Sequence, residues 1–185
     1  MDNGASSYRR FLDGDESGLC ALIEEYRDGL ILYLTAVTGD VYMAEEAAED
    51  AFVKLWLKKP KDRGTASFKT YLYAIGRNAA RDRLRRRAAS KEVPAETPDA
   101  LEEAEESLEA LYLREEQKRI LHRALRRLKP EYRQVLWLVY FEDFSHKAAA
   151  KVMRRSPHGI DTLVWRAKQA LKSELDKENF DLTQF

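Results

Sequence analysis

The sequence predicts an all-α protein made of two small helical domains joined by an acidic linker. Apolar residues recur at helical spacing through most of the chain, alternating strand-like patterns are scarce, and one proline-bearing acidic stretch interrupts the helical stripes. At 185 residues the chain has room for one or two modest cores.

Lys and Arg number 32 and Asp and Glu 32, so net charge says nothing about partners. The distribution says more. Basic residues crowd positions 77–91, whereas 92–109 carries Glu92, Glu96, Asp99, Glu102, Glu103, Glu105, Glu106 and Glu109 with no Lys or Arg.

The first long helix is marked by Leu19, Leu22, Ile23, Tyr26, Leu30, Tyr33, Leu34 and Val37, and Gly39 ends it. Cys20, the single cysteine, has no partner for an internal disulfide and reads as a small core residue between Leu19 and Leu22. Ala44, Ala47, Ala48, Ala51, Phe52, Leu55 and Trp56 mark a second helix, with Glu45, Glu46, Glu49, Asp50 and Lys54 on its other face. A loop over 58–66 contains Pro60 and Gly64, and Ser67 is placed to cap a third helix.

That third helix, FKTYLYAIGRNAARDRLRRR from Phe68 to Arg87, is a stripe of Phe68, Leu72, Ile75 and Ala79 facing a core. Tyr73, Arg77, Arg81 and Arg85 follow at four-residue steps on roughly the opposite side, with Asn78 between the faces. A solvated charged face is one reading. The other is a nucleic-acid surface, favoured because only Asp82 interrupts the arginines, so ion pairs along the helix do not explain them. Guanidinium groups beside an aromatic ring suit a phosphate backbone and an unstacked base.

The stretch SKEVPAETPD, 90–99, has two prolines and little to bury, and its acidity runs on into the next helical pattern at about 101–128. Pro130 suits the first turn of a further helix, which Tyr132, Val135, Leu136, Val139 and Tyr140 give a buried stripe. From Ser145 to Leu171 two short helices are joined by a tight turn. Ser145 caps the first, where Ala148, Ala149, Val152 and Met153 allow close crossing. Ser156 and Pro157 open the second, whose Ile160, Leu163, Val164, Ala167 and Leu171 face inward. An ordinary helical hairpin fits this pattern, and so does a helix-turn-helix whose second helix meets base edges. His158, Asp161, Thr162 and Arg166 point away from the buried side, and Arg154 and Arg155 lie in the turn.

Other classes find little support. No apolar run is long enough to span a bilayer, which points to a cytoplasmic protein without membrane insertion. Chemistry on nucleic acid is not expected either, because His122, His146 and His158 lack ligand spacing with Cys20, no glycine-rich phosphate loop appears, and no paired carboxylates stand apart from charged helix faces. The chain is read as a non-enzyme with no metal or cofactor.

Taken in order, the alanine-rich helix, the aromatic and arginine helix, the acidic linker and the C-terminal helix-turn-helix resemble the bacterial RNA polymerase sigma factors of the extracytoplasmic-function (ECF) type, within the sigma-70 superfamily. The resemblance divides the chain into region 2 at 1–89, a linker at 90–104 and region 4 at 105–185. It implies a factor that binds core RNA polymerase, directs it to promoters and helps melt the minus-10 element. AEEAAEDAFVKLW, Ala44 to Trp56, resembles the helix that docks on the clamp helices of the largest subunit, which assigns that contact to Glu45, Glu49, Asp50, Lys54 and Trp56. Region 4 is implied to meet the flap of the second-largest subunit.

For the minus-10 element the resemblance implies Arg63, Gly64, Ser67 and Phe68 in or beside a base-capturing loop, Asn78 as a base contact, and Tyr71, Tyr73, Arg77 and Arg81 for stacking and backbone charge. For the minus-35 element it implies Arg154, Arg155, Ser156, His158, Asp161, Thr162 and Arg166. The linker is implied to thread basic channels of the polymerase, and an anti-sigma factor is a further implied partner. Departures from the family pattern are Asp161 and Leu163 where cations are frequent, Glu49 for a common glutamine, Tyr71 for a usual tryptophan, and Arg154 for a common turn glycine. A free-standing helix-turn-helix regulator is the competing reading. It would need a dimer interface and a ligand domain where the N-terminal half resembles a polymerase-docking bundle.

Overall fold

The computed structural model describes residues 4–59, 67–90 and 108–178, with side chains from 118 onward in the last stretch. The helices are α1 (Ala5–Leu12), α2 (Ser17–Thr38), α3 (Val41–Lys58), α4 (Phe68–Ser90), α5 (Leu108–Arg127), α6 (Pro130–Leu136), α7 (His146–Met153) and α8 (Pro157–Asp176). Between α6 and α7 the helix widens into a π turn over Trp137–Phe141. The linker expected at 90–104 falls almost wholly outside the described residues.

In the N-terminal half, α2, α3 and α4 pack around Leu22, Leu30, Leu34, Ala44, Ala48, Leu55 and Leu72, all buried. Small residues set the spacing. A Cβ on Gly76 of α4 would stand 3.0 Å from Leu30 Cδ1, so the glycine lets α4 approach α2 closely. Gly39 ends α2 in the left-handed region at φ 72°, as the sequence indicates. Asp40 caps α3 by accepting from the Met43 N–H at 3.2 Å, and Ser67 caps α4 by accepting from the Thr70 N–H at 3.2 Å. The short α1, which sequence reasoning missed although Tyr8, Phe11 and Leu12 stand at helical spacing, covers one end of the bundle with Tyr8 and Phe11.

Cys20 is exposed, contrary to the expectation of a core position. It lies two residues, or roughly 200°, from Leu22 around a 3.6-residue helix, so the two cannot share a face.

The C-terminal half packs α5, α6, α7 and α8 around Ala124, Val135, Leu138, Val152, Ile160 and Ala167. Ser145 and Ser156 cap α7 and α8 as expected, accepting from the N–H groups of Ala148 and Gly159. Tyr140, expected on the buried stripe, is exposed. The π turn is the reason: with an i to i+5 bond from the Glu142 N–H to the Trp137 carbonyl, the chain advances more residues per turn and the apolar phase slips. Trp137 and Leu138 turn inward and Tyr140 outward.

The two halves share one continuous core. Along α4, the C-terminal half covers the side that the N-terminal bundle leaves free.

Candidate nucleic-acid interface

Helix α4 carries most of the candidates, and the structure sorts them by which neighbour they meet. Phe68 is buried against the rings of Tyr8 and Tyr26, with centroids 4.8 and 5.8 Å away, so it anchors the entry of α4 into its own bundle. Tyr73 is 1% exposed, its ring between Tyr33 of α2 and Phe144 of the C-terminal half. Its hydroxyl donates to Glu142 Oε2 at 2.5 Å, and Lys69 Nζ reaches the same carboxylate at 3.0 Å and the Glu142 carbonyl at 2.9 Å. Burial, and then the charge of Glu142, push the Tyr73 hydroxyl far above its ordinary pKa. Gly29 makes room for this meeting, since a Cβ there would stand 2.9 Å from Tyr73 Oη.

Arg77 is 8% exposed and donates through Nε to Gln134 Oε1 at 3.0 Å. Burial lowers its pKa; the nearby Tyr33 opposes the shift, while the charges of Arg81, Arg154 and Arg155 add to it. The influence of Arg154 and Arg155 reflects how close the helix-turn-helix turn lies to α4. A further tie between the halves runs from Arg133 Nε to the Ala36 carbonyl in the last turn of α2, at 2.8 Å.

These positions correct the expectation that Tyr73 and Arg77 stand on a free face opposite the core stripe. Both sides of α4 are covered, one by α2 and α3 and the other by the C-terminal half. Of the described minus-10 candidates, those that remain accessible are Ser67, Tyr71 (37% exposed), Asn78 (partly exposed) and Arg81. Tyr71, Asn78 and Arg85 recur at intervals of seven, one helical stripe, with Arg81 beside it. That interval is present in the sequence, but the four-residue ladder of Tyr73 to Arg85 masks it. Burial raises the pKa of the Tyr71 hydroxyl, so this ring stays neutral. Arg63 and Gly64 lie outside the described residues.

Two arginines of α4 also have partners that the sequence did not reveal, because those partners come from α3 and its N-cap. Arg83 pairs with Glu46 and Asp50, Arg87 with Asp40 at 2.8 Å, and Arg85 with Asp82 on its own helix. Ion pairs across the bundle therefore account for part of the basic cluster.

On α3, Glu49, Asp50 and Lys54 are exposed and Glu45 partly so. Asp50 accepts from Arg83 Nε at 2.8 Å. Trp56, counted with the apolar stripe, is 50% exposed. With Tyr42, Val53 and Leu57, all exposed, it forms an apolar face that sequence reasoning missed. Tyr42, Glu46, Glu49, Val53 and Trp56 follow at alternating steps of four and three, the signal that could have found it. Such a face bordered by carboxylates fits a protein partner better than water.

In the helix-turn-helix, Arg154, Arg155, Ser156, His158, Asp161 and Arg166 are exposed and Thr162 partly so, while Ile160, Leu163, Val164 and Ala167 are buried. Leu163 is thus a core residue, so it cannot stand in for a frequent cation on the DNA side. Arg154 ends α7 in the left-handed region at φ 54°, the conformation a glycine would take without strain. Arg155 is held by Glu131 at 2.5 Å. The Thr162 hydroxyl donates to the His158 carbonyl at 3.1 Å, and Asp161 Oδ1 lies 2.6 Å from His146 Nδ1. The structure gathers six of the seven expected minus-35 residues on one exposed end of α8 and its preceding turn, with Arg166 one turn further along.

Residues 22–90 match the family Sigma-70 region 2, and residues 118–171 match Sigma-70, region 4. Over 170 residues the chain is 28% identical to the RNA polymerase sigma-H factor of Pseudomonas aeruginosa, a match that takes in 88% of each protein. It is 26% identical to the ECF RNA polymerase sigma-E factor of Escherichia coli, covering 90% of this chain and 91% of that one. Among solved structures, CnrH in complex with the cytosolic domain of CnrY superposes with a TM-score of 0.66 at 19% identity, covering 96% of this chain and 99% of that one. The sigma factor RpoE in complex with the anti-sigma factor NepR from Bartonella quintana also gives 0.66, at 21% identity over 84% and 97%. At these identities the two structures establish a shared fold.

Proposed function

Since the chain belongs to the extracytoplasmic-function group of sigma-70 factors, which direct RNA polymerase to promoters, we propose how its own residues divide that work. Residues 1–89 dock on core polymerase and capture the minus-10 element, and residues 105–185 read the minus-35 element and meet the flap of the second-largest subunit. The observation that carries the minus-10 assignment is the accessible stripe along α4, where Ser67, Tyr71, Asn78 and Arg81 remain open while Phe68, Tyr73 and Arg77 are packed.

Melting the element costs a few kcal/mol per unstacked base, which capture of a flipped base must offset. The amide of Asn78 offers both a donor and an acceptor to a base edge, Tyr71 a neutral ring for stacking, and Arg81 a charge for the backbone. Arg63 and Gly64 complete the capturing loop. Phe68 serves by fixing where α4 begins. Tyr73 and Arg77 reach DNA only in an arrangement from which the C-terminal half has withdrawn, so their part in promoter engagement requires the contacts to Glu142 and Gln134 to open.

Docking on the clamp helices of the largest subunit uses α3, with Trp56 and the neighbouring apolar surface in the centre and Glu45, Glu49, Asp50 and Lys54 around it. In the helix-turn-helix, Arg154, Arg155, Ser156 and Arg166 seat the phosphates, while His158, Asp161 and Thr162 face base edges. The acidic linker passes through basic channels of the polymerase. No described helix is long and apolar enough to cross a membrane, and we place the protein's work in the cytoplasm, with an anti-sigma factor as a regulatory partner.

Mixing the full chain with bacterial core polymerase tests this reading. Co-elution and promoter-dependent run-off transcripts are expected; a chain that binds duplex DNA but neither co-elutes nor supports transcription would be a free-standing regulator.

A further inference from the structure

We propose that His146, at the first turn of α7, is a positioning residue for promoter reading: it holds the Asp161 carboxylate in one orientation at the exposed end of α8. The inference rests on the proposed function in which Asp161 faces a base edge.

The bond from His146 Nδ1 to Asp161 Oδ1 measures 2.6 Å and joins the two helices of the helix-turn-helix across fifteen positions of sequence. Both side chains are exposed, so core packing does not enforce the contact. An ionised carboxylate only accepts, so Nδ1 carries the hydrogen and donates. The bond uses Oδ1 and leaves the lone pairs of Oδ2 for an incoming donor, for which a cytosine amino group in the major groove has the right polarity.

An aspartate free to turn would sample several staggered rotamers and lose that freedom on binding; one held in advance does not. The surrounding polar groups are anchored in the same way. Ser156 Oγ accepts the Gly159 N–H at 3.1 Å, the Thr162 hydroxyl is turned back onto the helix, and Arg155 is held by Glu131. In a helix-turn-helix the first helix crosses the sugar-phosphate backbone while the second enters the groove. His146 therefore ties the element seated on the backbone to the side chain that reads the base.

The test measures base preference by the holoenzyme on a promoter library randomised across the minus-35 element. Comparison of wild type with Asp161→Asn identifies the base pair that Asp161 reads. At that pair, His146→Ala and His146→Gln are expected to weaken discrimination by about fivefold or more, with preferences elsewhere unchanged. His146→Asn, whose amide nitrogen lies about where Nδ1 was, is expected to retain it. In the Asp161→Asn background, His146→Ala should change nothing further. A flattened preference in Asp161→Asn together with wild-type preference in His146→Ala would overturn the positioning role, as would a loss of affinity in His146→Ala spread evenly over all sequences. Unchanged preference in Asp161→Asn would remove the base reading itself, and the role of His146 with it.

Discussion

Tyr73 of α4 and Glu142, 69 positions apart in sequence, meet in a 2.5 Å hydrogen bond that joins the two halves of the molecule. Lys69 completes the contact with an ion pair to the same carboxylate, whose side chain is only 11% exposed. Replacing Glu142 by Gln keeps the shape and removes the charge. The variant is expected to lose about 1–3 kcal/mol of stability and to expose α4 amides to faster hydrogen exchange. Unchanged protection along α4 would mean that this contact does not hold the halves together.

The same pair gives a pH signature. The folded-state pKa of Tyr73 is raised by burial and by Glu142, so its contribution to stability is present in full below the ordinary tyrosine value of about 10 and is lost as pH rises beyond it. Tyr73→Phe has no such proton to lose. The stability gap between wild type and Tyr73→Phe should narrow above about pH 10 in denaturant titrations; a gap constant to pH 11, roughly one unit beyond that tyrosine value, would show that Tyr73 is not buried as described.

On α3 the predictions separate packing from docking. Trp56→Ala removes an exposed ring, so melting should change little while affinity for core polymerase falls about tenfold, as for a central interface aromatic. Asp50→Lys should also weaken assembly, but it turns the Arg83 pair into a repulsion and is expected to lower stability by up to about 1 kcal/mol. Full affinity in Trp56→Ala would move the docking face elsewhere.

Asn78→Ala should leave duplex binding by the holoenzyme intact and abolish most permanganate reactivity at the minus-10 element, because the partly exposed amide contributes to capture rather than to packing. Wild-type opening in this variant would take Asn78 out of the site.

Much of the fold was legible. The ends of α2, α3, α4, α7 and α8 are marked by glycine, aspartate and serine caps whose chemistry is local, and the helix-turn-helix follows from small and apolar residues at close spacing. The features that escaped sequence reasoning depend on partners distant in the chain. The ladder of Tyr73 and Arg77 has the periodicity of a free face, and nothing nearby in the chain announces that Glu142 and Gln134 will cover it. The π turn that delivers Glu142 leaves no periodic signal, because it is a departure from periodicity. The exposure of Cys20 has a simpler cause: adjacency to Leu19 and Leu22 does not override the helical angle, which turns the thiol outward.

In the proposed mechanism Tyr73 and Arg77 of α4 engage the promoter only after the C-terminal half has left them. Spin labels at Glu24 of α2 and Gln169 of α8, both exposed, with Cys20 replaced by Ser, report the separation of the halves by pulsed dipolar spectroscopy. One narrow distance distribution is expected in the free protein and a longer distance in holoenzyme that is active in run-off transcription. The free-protein distance persisting in active holoenzyme would contradict the mechanism.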